Sequence, residues 1–124
     1  MNINKFTQKS IQAVNDLEKI AYEYGNQEIE EEHLLYCLLN QEDSLILKLI
    51  EKMDEFQRSL IDALNKRPKV SGGQVYIGKD LNRVLVSAED EAKAMGDEYV
   101  SVEHLFLSLL RYPNAGIRDL FRDY

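Results

Sequence analysis

A single cysteine, Cys37, excludes an internal disulfide and suits a reducing compartment, so a cytoplasmic location is expected. Long apolar runs are missing. The longest, Leu34 to Leu39, falls far short of the roughly 20 residues that a membrane-spanning helix needs. No basic start leads into an apolar core, so no secretory leader is expected. Positive charge is scarce: 15 Lys and Arg stand against 22 Asp and Glu, for a net charge of −7. Nucleic-acid binding needs clustered Lys and Arg to displace counterions, so that class is excluded, and cationic or apolar partners fit better. Only two histidines occur, one in each of two Glu-His pairs. A metalloprotease helix needs two histidines in H-E-x-x-H, so neither a metal site nor catalysis is expected of them. Each is expected to be packed and hydrogen-bonded beside a glutamate in the first turn of a helix.

What the sequence does contain is a repeat. The stretch G-N-Q-E-I-E-E-E-H-L-L-Y-C-L-L from Gly25 returns as G-D-E-Y-V-S-V-E-H-L-F-L-S-L-L from Gly96, an offset of 71 residues. The same offset pairs Glu18 with Glu89, Ala21 with Ala92, Ile46 with Ile117 and Leu49 with Leu120. The chain reads as a tandem duplication. At 124 residues, with 44% hydrophobic and 30% charged content, it is long enough for one domain with its own core.

In the first copy Thr7 is placed to cap a helix whose buried stripe is Ile11, Val14, Leu17, Ala21 and Tyr24. Gly25 suits its left-handed end. A second helix starts near Glu30, with Glu30, Glu31 and Glu32 at the positive end of its dipole. Its body, Leu34 to Leu39, is apolar almost all round, as in a central buried helix. Ser44 is placed to cap a third helix with Leu45, Leu49 and Met53 inside, and Asp54 a fourth with Phe56, Leu60, Ile61 and Leu64 inside. Pro68, Ser71, Gly72, Gly73 and Gly78 mark residues 67–78 as a linker, in which only 74–77 could be a short strand. The second copy follows suit. Leu81, Val84, Leu85, Ala88 and Ala92 line a helix ending at Gly96. Ser101 caps the next, and a short helix after Pro113-Asn114 carries Ile117, Leu120 and Phe121. No counterpart of the fourth helix precedes Tyr124, so the second copy is expected to be cut short. The expected fold is all-α: one compact domain, a pseudo-twofold tandem repeat of a four-helix unit. Repeat one is expected at about 1–66 and repeat two at 79–124.

Phe6-Thr7, the G-N-Q-x-I-x-x-E-H-L-L stretch and the G-D-x-Y-V-S-V-E-H-L-F stretch resemble the double repeat at the N-terminus of Clp-type AAA+ proteins, over nearly the whole chain. The linker from Ala63 to Tyr76 looks more like the ClpB disaggregase branch, with the ClpC protease-regulator branch the near alternative. The resemblance implies a non-enzymatic module tethered to hexameric ATPase rings, monomeric when isolated. It would bind unfolded or aggregated protein, or adaptors, and need no cofactor. It implies client handling by Thr7, Asp97 and Glu103 in ClpB-like chains, and phosphoarginine reading by Glu32 and Glu103 in ClpC-like ones. Together they give an expected apolar groove edged by Thr7, Glu32, Asp97 and Glu103. The added charge of Glu30 and Glu31 would repel a phosphate next to Glu32.

Two further motifs are weighed. Gly73 to Asp80 imitates the phosphate-binding loop G-x-x-x-x-G-K-[ST], but ends in a carboxylate where a metal-binding hydroxyl is required, so a nucleotide enzyme is a remote alternative. Cys37 sits in the most apolar helix with Ser108 as its counterpart, which makes it a small core residue.

Overall fold

The computed structural model describes residues 3–70 and 72–124. Helix α1 spans Gln8–Glu23, and Thr7 caps it: its Oγ1 accepts the Ser10 amide at 3.3 Å. The buried face is Ser10, Ala13, Leu17, Ile20 and Ala21, while Ile11, Val14 and Tyr24 pack at its margin. The stripe is therefore rotated from the expected one, because small residues face the neighbouring helix. Gly25, at φ 71°, ends α1 with two bonds: its own amide to the Tyr22 carbonyl at 3.1 Å and the Asn26 amide to the Ala21 carbonyl at 2.8 Å.

Helix α2 (Glu31–Leu39) is buried from Glu31 to Leu39 except at Tyr36. It packs against α1, against α3 (Met53–Lys66) and against α5 (Val102–Arg111). Helix α4 (Lys79–Ala94) buries Leu81, Val84, Leu85, Ala88 and Ala92, the five residues its spacing predicts. It ends as α1 does: Gly96 at φ 73°, with the Gly96 amide on Lys93 and the Asp97 amide on Ala92, at 3.0 and 2.9 Å. Each fully buried leucine of the α2 and α5 bodies contributes on the order of 2 kcal/mol. Ser108, the counterpart of Cys37, keeps its hydroxyl satisfied inside this core by donating to the Val84 carbonyl at 2.7 Å.

The two halves are laced by exchanged strand pairs. Strand β1 (Glu28–Ile29) runs parallel to β2 (Tyr76–Ile77), with Ile29 opposite Ile77. Phe6 is bridged to Val100 in the same parallel sense. Phe6 and Ile77 are repeat mates, as are Ile29 and Val100, so each half lends its lead-in to the other. The Thr7 amide donates to Val100 at 3.0 Å, and the Gly78 amide to Ile29 at 2.8 Å. Thr7 and Gly78, the caps of α1 and α4, have nearly the same backbone angles: φ −67° and −69°, both with ψ 164°. The fold is all-α and pseudo-twofold. Its two-residue strands are staples across the axis.

Three expectations need correction. The third helix of the first copy is a 3₁₀ segment, Leu45–Leu49; it buries Ile46 and leaves Leu45 and Leu49 exposed. With three residues per turn, Leu45 and Leu49, four apart, fall on different faces and cannot form the expected stripe. Ser44 does not cap it; its hydroxyl donates to the Leu38 carbonyl at 2.8 Å. Asp54 does not cap α3, which begins at Met53 with Lys52 at the cap position, two residues earlier than expected. Asp54 lies in the first turn, and Phe56, Leu60 and Leu64 form the buried face. The mate of the 3₁₀ segment, α6 (Ala115–Asp123), is α-helical. Asn114 caps it, accepting the Ile117 amide at 2.8 Å. Helix α3 lies across α6, with Phe56 and Phe121 5.3 Å apart and Phe106 5.9 Å from Phe121. Among the described residues, no helix is long and apolar enough to cross a membrane.

Candidate functional site

The two Glu-His motifs fold alike. His33 Nδ1 accepts the Glu30 amide at 2.9 Å and His104 Nδ1 accepts the Ser101 amide at 2.8 Å. A nitrogen that accepts carries no proton, so Nε2 is the donor in both rings. His33 donates to Asn26 Oδ1 at 2.9 Å, and His104 to Asp97 Oδ2 at 2.8 Å. Burial, with Arg67 nearby, pushes His33 down to about 4. Both nitrogens of each ring are committed to holding a helix start. Among the described residues no three His, Cys, Asp or Glu side chains gather as a metal site would require.

The glutamates diverge. Glu32 is 4% exposed and its carboxylate is fully engaged: Arg67 Nη1 donates at 2.9 Å and Asn114 Nδ2 at 2.7 Å. Its neighbours crowd the same crossing. Burial pushes Glu31 up to about 8, and burial with a hydrogen bond to Glu28 raises Glu30 to about 7. The Glu30 carboxyl lies directly against Gly78, where any side chain would overlap it. In the other copy Glu103 is exposed in the first turn of α5, and no hydrogen bond or ion pair holds it among the described residues.

Thr7 and Asp97 come together around Val100. Thr7 donates its amide to Val100, and Asp97, half exposed, shares with Val100 the lining of an open pocket of about 410 Å³. Lys5, Lys93 and Tyr99 complete much of the wall. Glu103 follows Ser101 on the adjoining helix, next to the His104 that Asp97 holds. Glu32 does not line this pocket. Glu32 belongs to the mate crossing, and of the four expected residues only Asp97 is in the lining of this pocket.

In the loop from Gly73 to Asp80 the Tyr76 and Gly78 amides are bonded to the Gln27 and Ile29 carbonyls, and Gly78 lies against the side chains of Glu28 and Glu30. A phosphate would be repelled there. Cys37 is buried and its thiol is pushed up to about 12 by that burial, which leaves it without thiolate character.

A family model described as the Clp repeat (R) N-terminal domain matches residues 5–124. The chain belongs to that family. The Clp repeat domain is 44% identical over 126 residues to the chaperone protein ClpB of Nitratidesulfovibrio vulgaris, a match covering 94% of this chain and 15% of that one. It is 40% identical over 114 residues to ClpB of Porphyromonas gingivalis, covering 89% and 13%. The chain thus spans about a seventh of the length of these relatives. Its fold is that of the Hsp104 N-terminal domain from Candida albicans, at TM-score 0.84 and 22% identity, covering 96% of this chain and 81% of that one. The N-terminal domain of ClpD from Arabidopsis thaliana follows at TM-score 0.77 and 18% identity, covering 98% and 88%.

The sequence reading missed what fills the Glu32 crossing of this Clp repeat domain. Arg67 reaches Glu32 from 35 positions away and Asn114 from 82. Arg67 stands in the linker as an unremarkable cation, and no local spacing announces its partner.

Proposed function

We propose that this Clp repeat domain is the recognition module of an ATP-driven, ClpB-type chaperone, and that it docks unfolded polypeptide or an adaptor at the crossing of Thr7, Asp97 and Glu103. The supporting observation is the asymmetry of the two crossings. At one, Glu103 is exposed and, among the described residues, unpaired, next in sequence to the His104 that a half-exposed Asp97 holds. At the other, Glu32 is already paired with a guanidinium, that of the chain's own Arg67. A client segment carrying Lys or Arg among apolar residues suits the open crossing: Asp97 and Glu103 meet the cation, and the exposed ring of Tyr99 meets the apolar part.

Docking of this kind is weak and reversible. Tethering to a cytoplasmic hexameric ring makes it useful, because the tether raises the client's effective concentration at the pore. ATP hydrolysis belongs to the ring modules, and recognition itself uses no cofactor. Fluorescence anisotropy with unfolded cationic peptides tests the reading. Asp97→Asn and Glu103→Gln should each weaken capture, and unchanged affinity in both variants would remove this crossing from the site. A phosphoarginine-reading role of the ClpC type finds support at Glu103 alone. Phosphoarginine should then raise Tm in the parent protein and not in Glu103→Gln.

A further inference from the structure

Next to the Glu32 crossing and apart from the Glu103 one, three arginines from three helices converge on one cleft of about 410 Å³, in a chain whose net charge is −7. Arg83 of α4 lies over the Tyr112 ring at 4.2 Å, Arg111 of α5 is held by Glu91, and Arg118 of α6 folds back to the Pro113 carbonyl at 3.3 Å. Each is fixed by a neighbour and remains exposed. The start of α6 borders the same cleft through Asn114 and Ala115, adding the positive end of its dipole.

The wall also contains Glu31, which is 0% exposed. One of its oxygens accepts the Asn114 amide at 3.0 Å; the other, Oε2, has no partner. Its pKa, raised to about 8, makes it a neutral acid near pH 7, so the carboxyl carries an O–H donor in search of an acceptor. Glu30, Glu32 and Asp80 all press it toward that neutral form. A cation would face three guanidiniums here. Two carboxylate oxygens cannot engage three separate forks, whereas a tetrahedral dianion offers an oxygen to each.

We propose that this cleft binds a phosphate-type oxyanion, held by Arg83, Arg111 and Arg118 over the Glu31 carboxyl. Asp80, the one exposed carboxylate in the lining, opposes it. This site is independent of the client-docking crossing and would stand if that reading failed.

The test is an amide-resonance titration of the domain with inorganic phosphate against chloride at matched ionic strength, with acetate and a phosphoserine peptide as further arms. Saturable shifts at Arg83, Ala115 and Arg118 are expected with phosphate and not with chloride or acetate. Arg83→Gln and Arg118→Gln should each weaken binding by about tenfold, and Asp80→Asn should tighten it. Both arginines are exposed, so unchanged thermal melting separates lost binding from lost folding. Binding of the phosphoserine peptide at least as tightly as phosphate assigns the anion to an ester; binding of phosphate alone assigns it to the free ion. Equal shifts with chloride or acetate, or affinities indifferent to the arginine variants, overturn the proposal.

Discussion

Asp97 accepts the Nε2 proton of His104 at 2.8 Å, in the place that Asn26 fills for His33. An amide oxygen and a carboxylate oxygen thus do the same structural task in the two halves, and only one of them brings a charge to the surface. Asp97→Asn should therefore keep the fold, with a stability change within about 1 kcal/mol, while weakening capture of cationic clients. Asp97→Ala removes the acceptor as well and should cost about 1–2 kcal/mol in denaturant unfolding. Equal stability of the two variants would show that the histidine does not need its acceptor.

Arg67 fastens the linker to the first half. Its guanidinium is about one-fifth exposed and its partner Glu32 nearly buried, so removing it strands a carboxylate that desolvation penalises. Arg67→Ala should cost about 2–3 kcal/mol, visible as a lower denaturant midpoint. In the background of Glu32→Gln the same change should cost clearly less. Equal costs in both backgrounds would mean that the pair is not coupled.

Stability should depend on pH around neutrality. Glu31 and Glu30 are raised from 4.5 to about 8 and about 7, so the folded state binds more protons than the unfolded one between those limits. Their contribution is complete below about 4.5 and is lost as pH rises toward 8. His33 acts oppositely. Lowered from 6.5 to about 4, it adds stability as pH rises from 4 and is level above 6.5. Between pH 6.5 and 8 only the carboxyls remain of the three, so chemical denaturation should show unfolding free energy falling over that window. Glu31→Gln should flatten the fall, and an unchanged slope would contradict its buried acid form.

Cys37 lies inside α2 with its thiol pushed up to about 12 by burial. Labelling by a thiol reagent should proceed only as fast as the core opens, and should accelerate with added denaturant. Rapid labelling in native buffer would place Cys37 nearer the surface than the structure does.

The parts legible in the sequence are those encoded locally. The α4 stripe, the glycine stops at 25 and 96 and the Thr7 cap follow from spacing and residue type within one helix, and all appear as read. The α1 face shifted because Ser10 and Ala13, too small to register as hydrophobic, are what allow close packing. Strand β1 went unread because two residues carry no alternation, and its pairing comes from the other half of the chain. The same holds for the candidate site. The E-H pairs are equivalent in sequence, yet what distinguishes them is Arg67 and Asn114 arriving from distant positions to close one and leave the other free.

The unequal crossings predict a single docking place per domain. Titration calorimetry of an unfolded cationic peptide into the domain should give one site per chain, severely weakened by Glu103→Gln and unaffected by Glu32→Gln. Two equivalent sites, or equal losses from the two glutamate variants, would contradict the account.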